Sequence, residues 1–354
     1  MGNIVSCLFP FSVWDCWWLA PLAVLLDLCL GDPRLPWPHP VCALGRLLHW
    51  LEGPARHWMT VRQDNAENTT CSGLSLRGRL AGLVCLLCLL AVTAFVVRLC
   101  LALPLLGTLA AIYLAWAGLA AGSLLRTGSI VLRRVETCSL AGGREALSWL
   151  VSRDTSQMDR PLMRKTLADT LSENFTDAVV APFFWLLLTG PVGLWLYKAV
   201  STTDSMWGYL TPRWRWLGWA GARADDMLAF IPARLSAALL WLTDTVLQHW
   251  RAADRIWSGH WPGVRVLASQ AKGMPSPNSG WSMAACAWLC GARMAGPSVY
   301  FGQMVQKPWL GPPQPEASPW DTARLHALCA LIRQGTILGG LSLWVCCLAL
   351  RLVV

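Results

Sequence analysis

The chain has 354 residues, of which 55% are hydrophobic and only 14% charged, with a net charge of +9. An average soluble domain is about 25% charged, so this composition excludes an ordinary soluble globule. The basic residues sit in loops, six Lys/Arg in 32–79, eight in 126–177 and eight in 251–333. They form no basic stripe with regularly interleaved aromatics, which argues against nucleic acid as a partner. A solvated face beside anionic membrane lipid accounts for them.

Uncharged runs place the spans in chain order. Candidates are 16–31, interrupted by Asp27, then 80–97, 101–125, 178–197 and 334–350, with 227–249 carrying Arg234 and Asp244. About 20 apolar residues cross a bilayer as a helix. The expected fold is therefore all-α: one polytopic integral membrane domain over 1–354, with about four to six transmembrane helices and polar helical loops. The first Lys or Arg is Arg34, so the charged n-region of a cleavable signal is missing, and the basic loop after Gly31 is expected on the cytoplasmic side. Met1–Ser6 fits a myristoylation pattern, and Asn68 and Asn174 open formal glycosylation sequons; all three read as chance matches. Residues 62–75 read as a polar, structureless stretch, and Ser152-Arg-Asp-Thr as a helix cap. Within 178–197, Pro182 and Gly190-Pro191-Val-Gly193 predict either a kinked span or a re-entrant hairpin. Trp17, Trp18, Trp195, Trp207, Trp214 and Trp216 fall near span ends, where amphipathic rings favour the interface.

Polar clusters at the span borders carry the chemistry. Asp27, Asp32 and His39 surround the proline-rich exit of the first span. An acid inside a span needs a partner or a polar cavity. Asp169, Glu173 and Asp177 recur at i, i+4 and i+8, which places them on one helical face just before an apolar run. Such a row repels itself unless a cation joins it, and suits magnesium carried by a phosphorylated substrate. Thr202 and Asp204, then Arg223, Asp225 and Asp226, then Arg234 lie beyond the doubtful span. Ser276-Pro-Asn278 and Gly296-Pro-Ser-Val-Tyr300-Phe-Gly302 offer turn amides and an Asn side chain as anion donors. There is no P-loop and no histidine pair at zinc spacing. Cys85-x-x-Cys88 lies mid-span without a partner pair and reads as two small apolar side chains.

In this order the clusters resemble a known family. Leu-Leu-Asp27-Leu-x-Leu-Gly-Asp32-Pro-Arg34 with Pro-His39-Pro-Val, Ser152-Arg153-Asp154-Thr, Ser172-Glu173-Asn174-x-x-Asp177-Ala-Val-Val-Ala-Pro182, Thr202-x-Asp204-Ser-Met-x-Gly-Tyr209, Ala222-Arg223-x-Asp225-Asp226, Ile231-Pro-Ala-Arg234 and Ser276-Pro-Asn278-x-Gly280 are similar to the motifs of the CobD/CbiB family. These are the adenosylcobinamide-phosphate synthases of cobalamin biosynthesis. The resemblance implies a bacterial inner-membrane, multi-pass enzyme with its active loops in the cytoplasm. It implies an ATP-dependent acid–amine ligase that joins aminopropanol, or (R)-1-aminopropan-2-ol O-phosphate, to a propionate of adenosylcobyric acid. ATP and Mg2+ are its implied cofactors, the corrinoid its substrate, and other corrinoid-pathway membrane enzymes its implied partners. On that reading Glu173, Asp177 and Asp204 hold magnesium or take the amine proton. Arg153, Arg223 and Arg234 hold phosphates, and Asn174 and Asn278 orient the carboxylate. Asp32, His39, Asp154, Thr202, Asp225, Asp226 and Ser276 line the substrate. The chain departs from the family pattern at Lys198, Ser201, Leu210, Ser269-Gln270, Met274 and Met294-Ala295-Gly296. A non-catalytic scaffold or sensor of the same fold is the alternative, and a transporter a third reading, although no internal repeat is visible.

Overall fold

The computed structural model describes residues 17–33, 35–60, 71–250, 259–300 and 302–353. The Met1–Ser6 pattern, Arg34, the Asn68 sequon and most of the stretch 62–75 lie outside them. The fold is almost entirely helical, and five of its helical stretches are long and apolar enough to cross a membrane. The chain runs through α1 (Leu19–Leu30), α2 (Pro40–Thr60), α3 (Cys71–Leu101), α4 (Gly107–Ala117), α5 (Ala121–Thr137), α6 (Leu140–Ser148) and α7 (Arg160–Asn174). A six-residue π turn, Phe175–Val180, joins α7 to α8 (Ala181–Trp207). Then come α9 (Trp219–Leu228), α10 (Phe230–Trp250), α11 (Val264–Lys272) and α12 (Ser279–Cys290), four short strands, and α13 (Thr322–Val353). The strands are β1 (Met294–Ala295), β2 (Ser298–Tyr300), β3 (Gln303–Val305) and β4 (Trp309–Leu310), with β1 antiparallel to β4 and β2 antiparallel to β3.

Two apolar cores hold the helices. One gathers Leu48, Leu89, Leu114 and Leu194 from α2, α3, α4 and α8. The other gathers Leu132, Leu171, Leu240, Leu289 and Leu328 from α5, α7, α10, α12 and α13. Burying each such leucine contributes roughly 1.5–3 kcal/mol, and the first core anchors α8 while the second anchors α7.

Several span boundaries shift. The run 101–125 is not one rod: it reverses through 102–106 into α4, and breaks again at Gly118 before α5. At 12 residues α1 is about 18 Å long, short of a bilayer core. The helix expected at 227–249 and the one expected at 334–350 are both present, as α10 and as the second half of α13. Ser152 caps nothing; Asp159 accepts from the Leu162 N–H at 2.9 Å and starts α7, while Ser139 caps α6. Trp195 and Trp207 are buried and so are core residues, not interfacial ones. Trp17 does fit the belt, exposed and stacked on Trp344. Trp214 and Trp216 lie under a ladder of arginines, Arg56 and Arg213 over the first, Arg79 and Arg215 over the second.

The stretch 178–197 folds back on itself. Gly190 takes φ +67° and ψ −164°, a conformation open essentially to glycine alone, and Pro191 starts the second arm. A straight helix from 177 to 197 would separate its ends by about 30 Å. Instead the Tyr197 hydroxyl reaches the Asp177 carbonyl at 3.5 Å. Of the two shapes that the sequence allows, this is the hairpin.

Candidate functional site

The π turn decides where the acids of α7 point. It inserts one residue into the helix after Asn174 and so rotates every downstream side chain of the helix by roughly 100°. Thr176 pins the turn with buried hydroxyl contacts to Ser236 on α10 (2.8 Å) and Ser282 on α12 (3.0 Å). Asp169, Glu173 and Asp177 therefore do not share a face to the end of the row. Asp169 is wholly buried and accepts from Arg153 (2.6 Å), Lys165 (3.1 Å) and the Ala295 N–H (2.9 Å). Asp177 lies within electrostatic reach of Asp225, Glu173, Asp204 and Lys198 instead.

The hairpin and α9 complete that cluster. Asp204, near the end of α8, faces Asp226 and Glu173. Asp225 sits on α9 with its Oδ1 buried and unpaired. Burial first, then the charges of Asp204 and Asp226, push its carboxyl up to about 7. Glu173, Asp177 and Asp204 are half-buried, so solvent or a ligand reaches them. The structure thus brings together Glu173, Asp177, Asp204, Asp225 and Asp226, from three segments spread over 54 positions (173 to 226).

From the other side the exit of α1 closes in. The Asp32 N–H donates to Ser123 Oγ at 2.9 Å, and His39 starts α2 with Nδ1 accepting from Val41 at 3.3 Å. The His39 Nε2 is buried without a partner. Burial holds this imidazole below its ordinary pKa, with Asp32 pulling against the shift and Lys198 adding to it. Asp27 accepts from the Gly122 N–H at 3.1 Å at the head of α5. Lys198 stands among Asp32, Asp177 and Asp27, the charge that links the two groups of acids.

Other expected residues have positional roles. The Ser276-Pro-Asn278 turn docks on the α9–α10 corner: Ser276 donates to Asp226 Oδ1 (3.1 Å) and Asn278 Nδ2 to the Asp226 carbonyl (2.8 Å). Arg234 donates to Asn278 Oδ1 (3.1 Å) and is sandwiched by Phe230 and Trp281. Buried Asn278 and Arg234 hold each other more than they face a ligand. Arg223 is exposed, 3.7 Å from Asp226, a pair of small energetic weight. Asn174 donates to the Thr170 carbonyl (2.9 Å) and Thr202 to the Lys198 carbonyl (2.6 Å), both along their own helices. Asp154 is exposed, and the Ser156 N–H bonded to it holds its carboxyl below the usual range.

Sequence reasoning gave no side-chain role to Lys198, Tyr300 or Lys307. Lys198 was visible only as a departure from the family pattern. Lys307 was hidden in a proline-rich loop, yet it donates to the Tyr300 hydroxyl at 2.8 Å, as Arg153 does at 2.9 Å. Against burial, Asp169 and Tyr300 keep the Arg153 guanidinium firmly charged.

The cluster's donors are all carboxylate oxygens, which suits a hard cation such as magnesium and not zinc. Among the described residues no three His, Cys, Asp or Glu side chains converge to hold a metal by themselves. One or two carboxylates completed by substrate phosphate oxygens and water is the usual magnesium arrangement, and these residues fit it.

Residues 20–329 match the family model described as CobD/Cbib protein. A cobalamin biosynthesis protein CobD of Pelobacter propionicus is 37% identical over 298 residues, covering 82% of this chain and 84% of that one. The CobD of Yersinia enterocolitica is 36% identical over 310 residues (86% and 90%), and the CbiB of Salmonella arizonae 34% over 304 (86% and 89%). No solved structure matches the chain. With a model match over most of its length and relatives above a third identical, the chain belongs to the CobD/CbiB family.

Proposed function

We propose that this protein acts in cobalamin biosynthesis as an ATP-dependent ligase of the bacterial inner membrane, with the acid cluster on the cytoplasmic side. Its reaction joins the amine of aminopropanol, or of its O-phosphate, to a propionate carboxylate of adenosylcobyric acid. The observation that carries this reading is the hairpin at Gly190, which returns Asp204 and Asp225 to Asp177 and Glu173.

Amide formation from a carboxylate needs three things. The carboxylate must be activated, most simply by phosphoryl transfer from ATP, with ADP leaving and phosphate released when the amine attacks. The incoming ammonium must lose its proton. Negative charge on the phosphates must be neutralised, which magnesium supplies when bound. One or two of Glu173, Asp177 and Asp204 would offer oxygen ligands, with phosphate oxygens and water completing the set. Asp225, with a carboxyl poised near 7, suits the proton acceptor, because a base works best with a pKa near the operating pH. Arg153 and Lys198 supply cations on either side of the acids.

Asp177→Asn and Asp204→Asn should each abolish growth of a cobinamide-requiring auxotroph while the membrane level of the protein stays normal. Full complementation by both variants would sink the assignment. If the wild-type chain itself fails to complement, the non-catalytic scaffold reading takes its place.

A further inference from the structure

Charge is unevenly divided across the site on the two sides of Glu173, with Lys198 and the exposed Arg223 as cations on the acid-rich side. On one side Asp177, Asp204, Asp225 and Asp226 crowd together. On the other side Arg153, Lys165 and Lys307 gather around two acids, Asp169 and Glu173. Asp169 is fully used: three protein donors already reach its two oxygens. Lys165 spends itself on Asp169 and the Ala295 carbonyl.

Lys307 and Tyr300 are different. The Lys307 ammonium has three donors, and its one hydrogen bond among the described residues goes to the Tyr300 hydroxyl at 2.8 Å. Arg153 Nε donates to the same oxygen at 2.9 Å, and both cations also lie over the Tyr300 ring, at 4.6 and 5.8 Å. Arg153 is already paired with Asp169, whereas Lys307 makes no ion pair among the described residues, so its ammonium is open to an anion that Arg153 and the Tyr300 hydroxyl also reach. The β2–β3 hairpin positions this pair, with Tyr300 at the end of β2 and Lys307 just beyond β3.

We propose that Arg153, Tyr300 and Lys307 form a phosphoryl-binding lobe beside Glu173. A phosphate group accepts from Arg, Lys and a hydroxyl together, through short charge-assisted hydrogen bonds. The acidic side then receives the cationic end of the same ligand. Two ligands have that polarity: an amino-alcohol phosphate, with its ammonium towards the acids, and a nucleotide, with its magnesium there. Which of these is relevant rests on the reaction proposed above; phosphoryl binding itself does not.

The test uses the full-length chain in lipid nanodiscs, with calorimetric titration of four probes: (R)-1-aminopropan-2-ol O-phosphate, free aminopropanol, ATP with magnesium, and inorganic phosphate. Lys307→Met should weaken the amino-alcohol phosphate roughly tenfold or more, the effect of one charged hydrogen bond, and leave free aminopropanol unchanged. Lys307→Arg should restore most of the loss. A loss confined to ATP would make the nucleotide the source of the phosphoryl group. Tyr300→Phe, which removes one oxygen, gives the second reading if Lys307→Met lowers the yield of folded protein. Unchanged affinity for every phosphorylated probe in both variants would overturn the lobe. Failed complementation with intact, Lys307-dependent phosphate binding would instead overturn the ligase reading alone.

Discussion

Two stretches of this chain are apolar enough to cross a bilayer and yet meet opposite surroundings. In α3, Val84, Leu87, Phe95 and Leu99 are more than half exposed, and 39% of its most apolar window is buried within the protein. In the stretch Arg160–Trp207 that share is 72%. The difference teaches what apolar sequence alone leaves open. A helix packed by lipid has no neighbours to neutralise a charge, and α3 carries none between Arg79 and Arg98. A helix packed by protein can carry Asp169, Glu173, Asp177 and Lys198, because neighbouring helices supply their partners.

The largest effect should come from stripping a partner out of the protein-packed stretch. Asp169→Asn leaves Arg153 and Lys165 enclosed with no full counter-charge, and should destabilise the fold by about 3–5 kcal/mol. Thermal unfolding in nanodiscs measures this, and a variant as stable as wild type would show that Asp169 is not the buried anchor of the lobe.

Next in size is the bend. Gly190→Ala places a Cβ on a backbone conformation that costs about 1–3 kcal/mol for any L side chain. The hairpin should loosen and auxotroph complementation fall, whereas alanine at an ordinary helical site in α3 should do neither.

The third prediction concerns pH. Asp225 binds its proton more tightly folded than unfolded, at about 7 against an ordinary 3.8. Its contribution to stability is therefore full below about pH 4 and is lost as pH rises through 7. Asn at this position mimics the protonated acid at every pH. Between pH 5 and 8 the unfolding temperature of wild type should fall relative to Asp225→Asn, then level off; parallel curves would remove the raised carboxyl.

A smaller, stabilising effect is expected at Ala295, which adopts φ +57°. Left-handed backbone costs a non-glycine residue about 1–2 kcal/mol. Ala295→Gly should recover about 1 kcal/mol, less the entropy that glycine adds to the unfolded chain. Unchanged stability would mean that contacts around β1 already offset the strain.

The same contrast decides how much was legible in the sequence. Helical class was, and so were helices over 80–97, 227–249 and 334–350, because apolar helices write themselves as runs with few or no charges, such as Leu80–Val97. The grouping of Asp177 with Asp204 was legible as a question only, since Gly190-Pro191 marks a break without giving its angle. The π turn was not legible at all: it is imposed by Thr176 bonding to Ser236 and Ser282, residues 60 and 106 positions away. That unseen turn is why the expected row from Asp169 to Asp177 divides into a structural acid and one that joins the cluster of Asp204 and Asp225. Lys307 escaped because the Tyr300 hydroxyl it shares is also reached by Arg153, 154 positions upstream of Lys307 (153 to 307).

The smallest effect is the sharpest check on the comparison itself. Leu87 lies in the middle of α3 and is 55% exposed, so its surroundings in a membrane are acyl chains. Truncating a leucine in a protein core removes contacts that nothing replaces, at about 2–5 kcal/mol. Lipid is fluid and fills the space left by the lost methyl groups, so no cavity remains. Leu87→Ala should therefore change stability in nanodiscs by less than about 0.5 kcal/mol, in line with surface substitutions generally. A core-sized loss would mean that this face of α3 packs against protein, either a second copy of the chain or another membrane partner. α3 and the Arg160–Trp207 stretch would then differ in what protein covers them, and no longer in whether protein covers them.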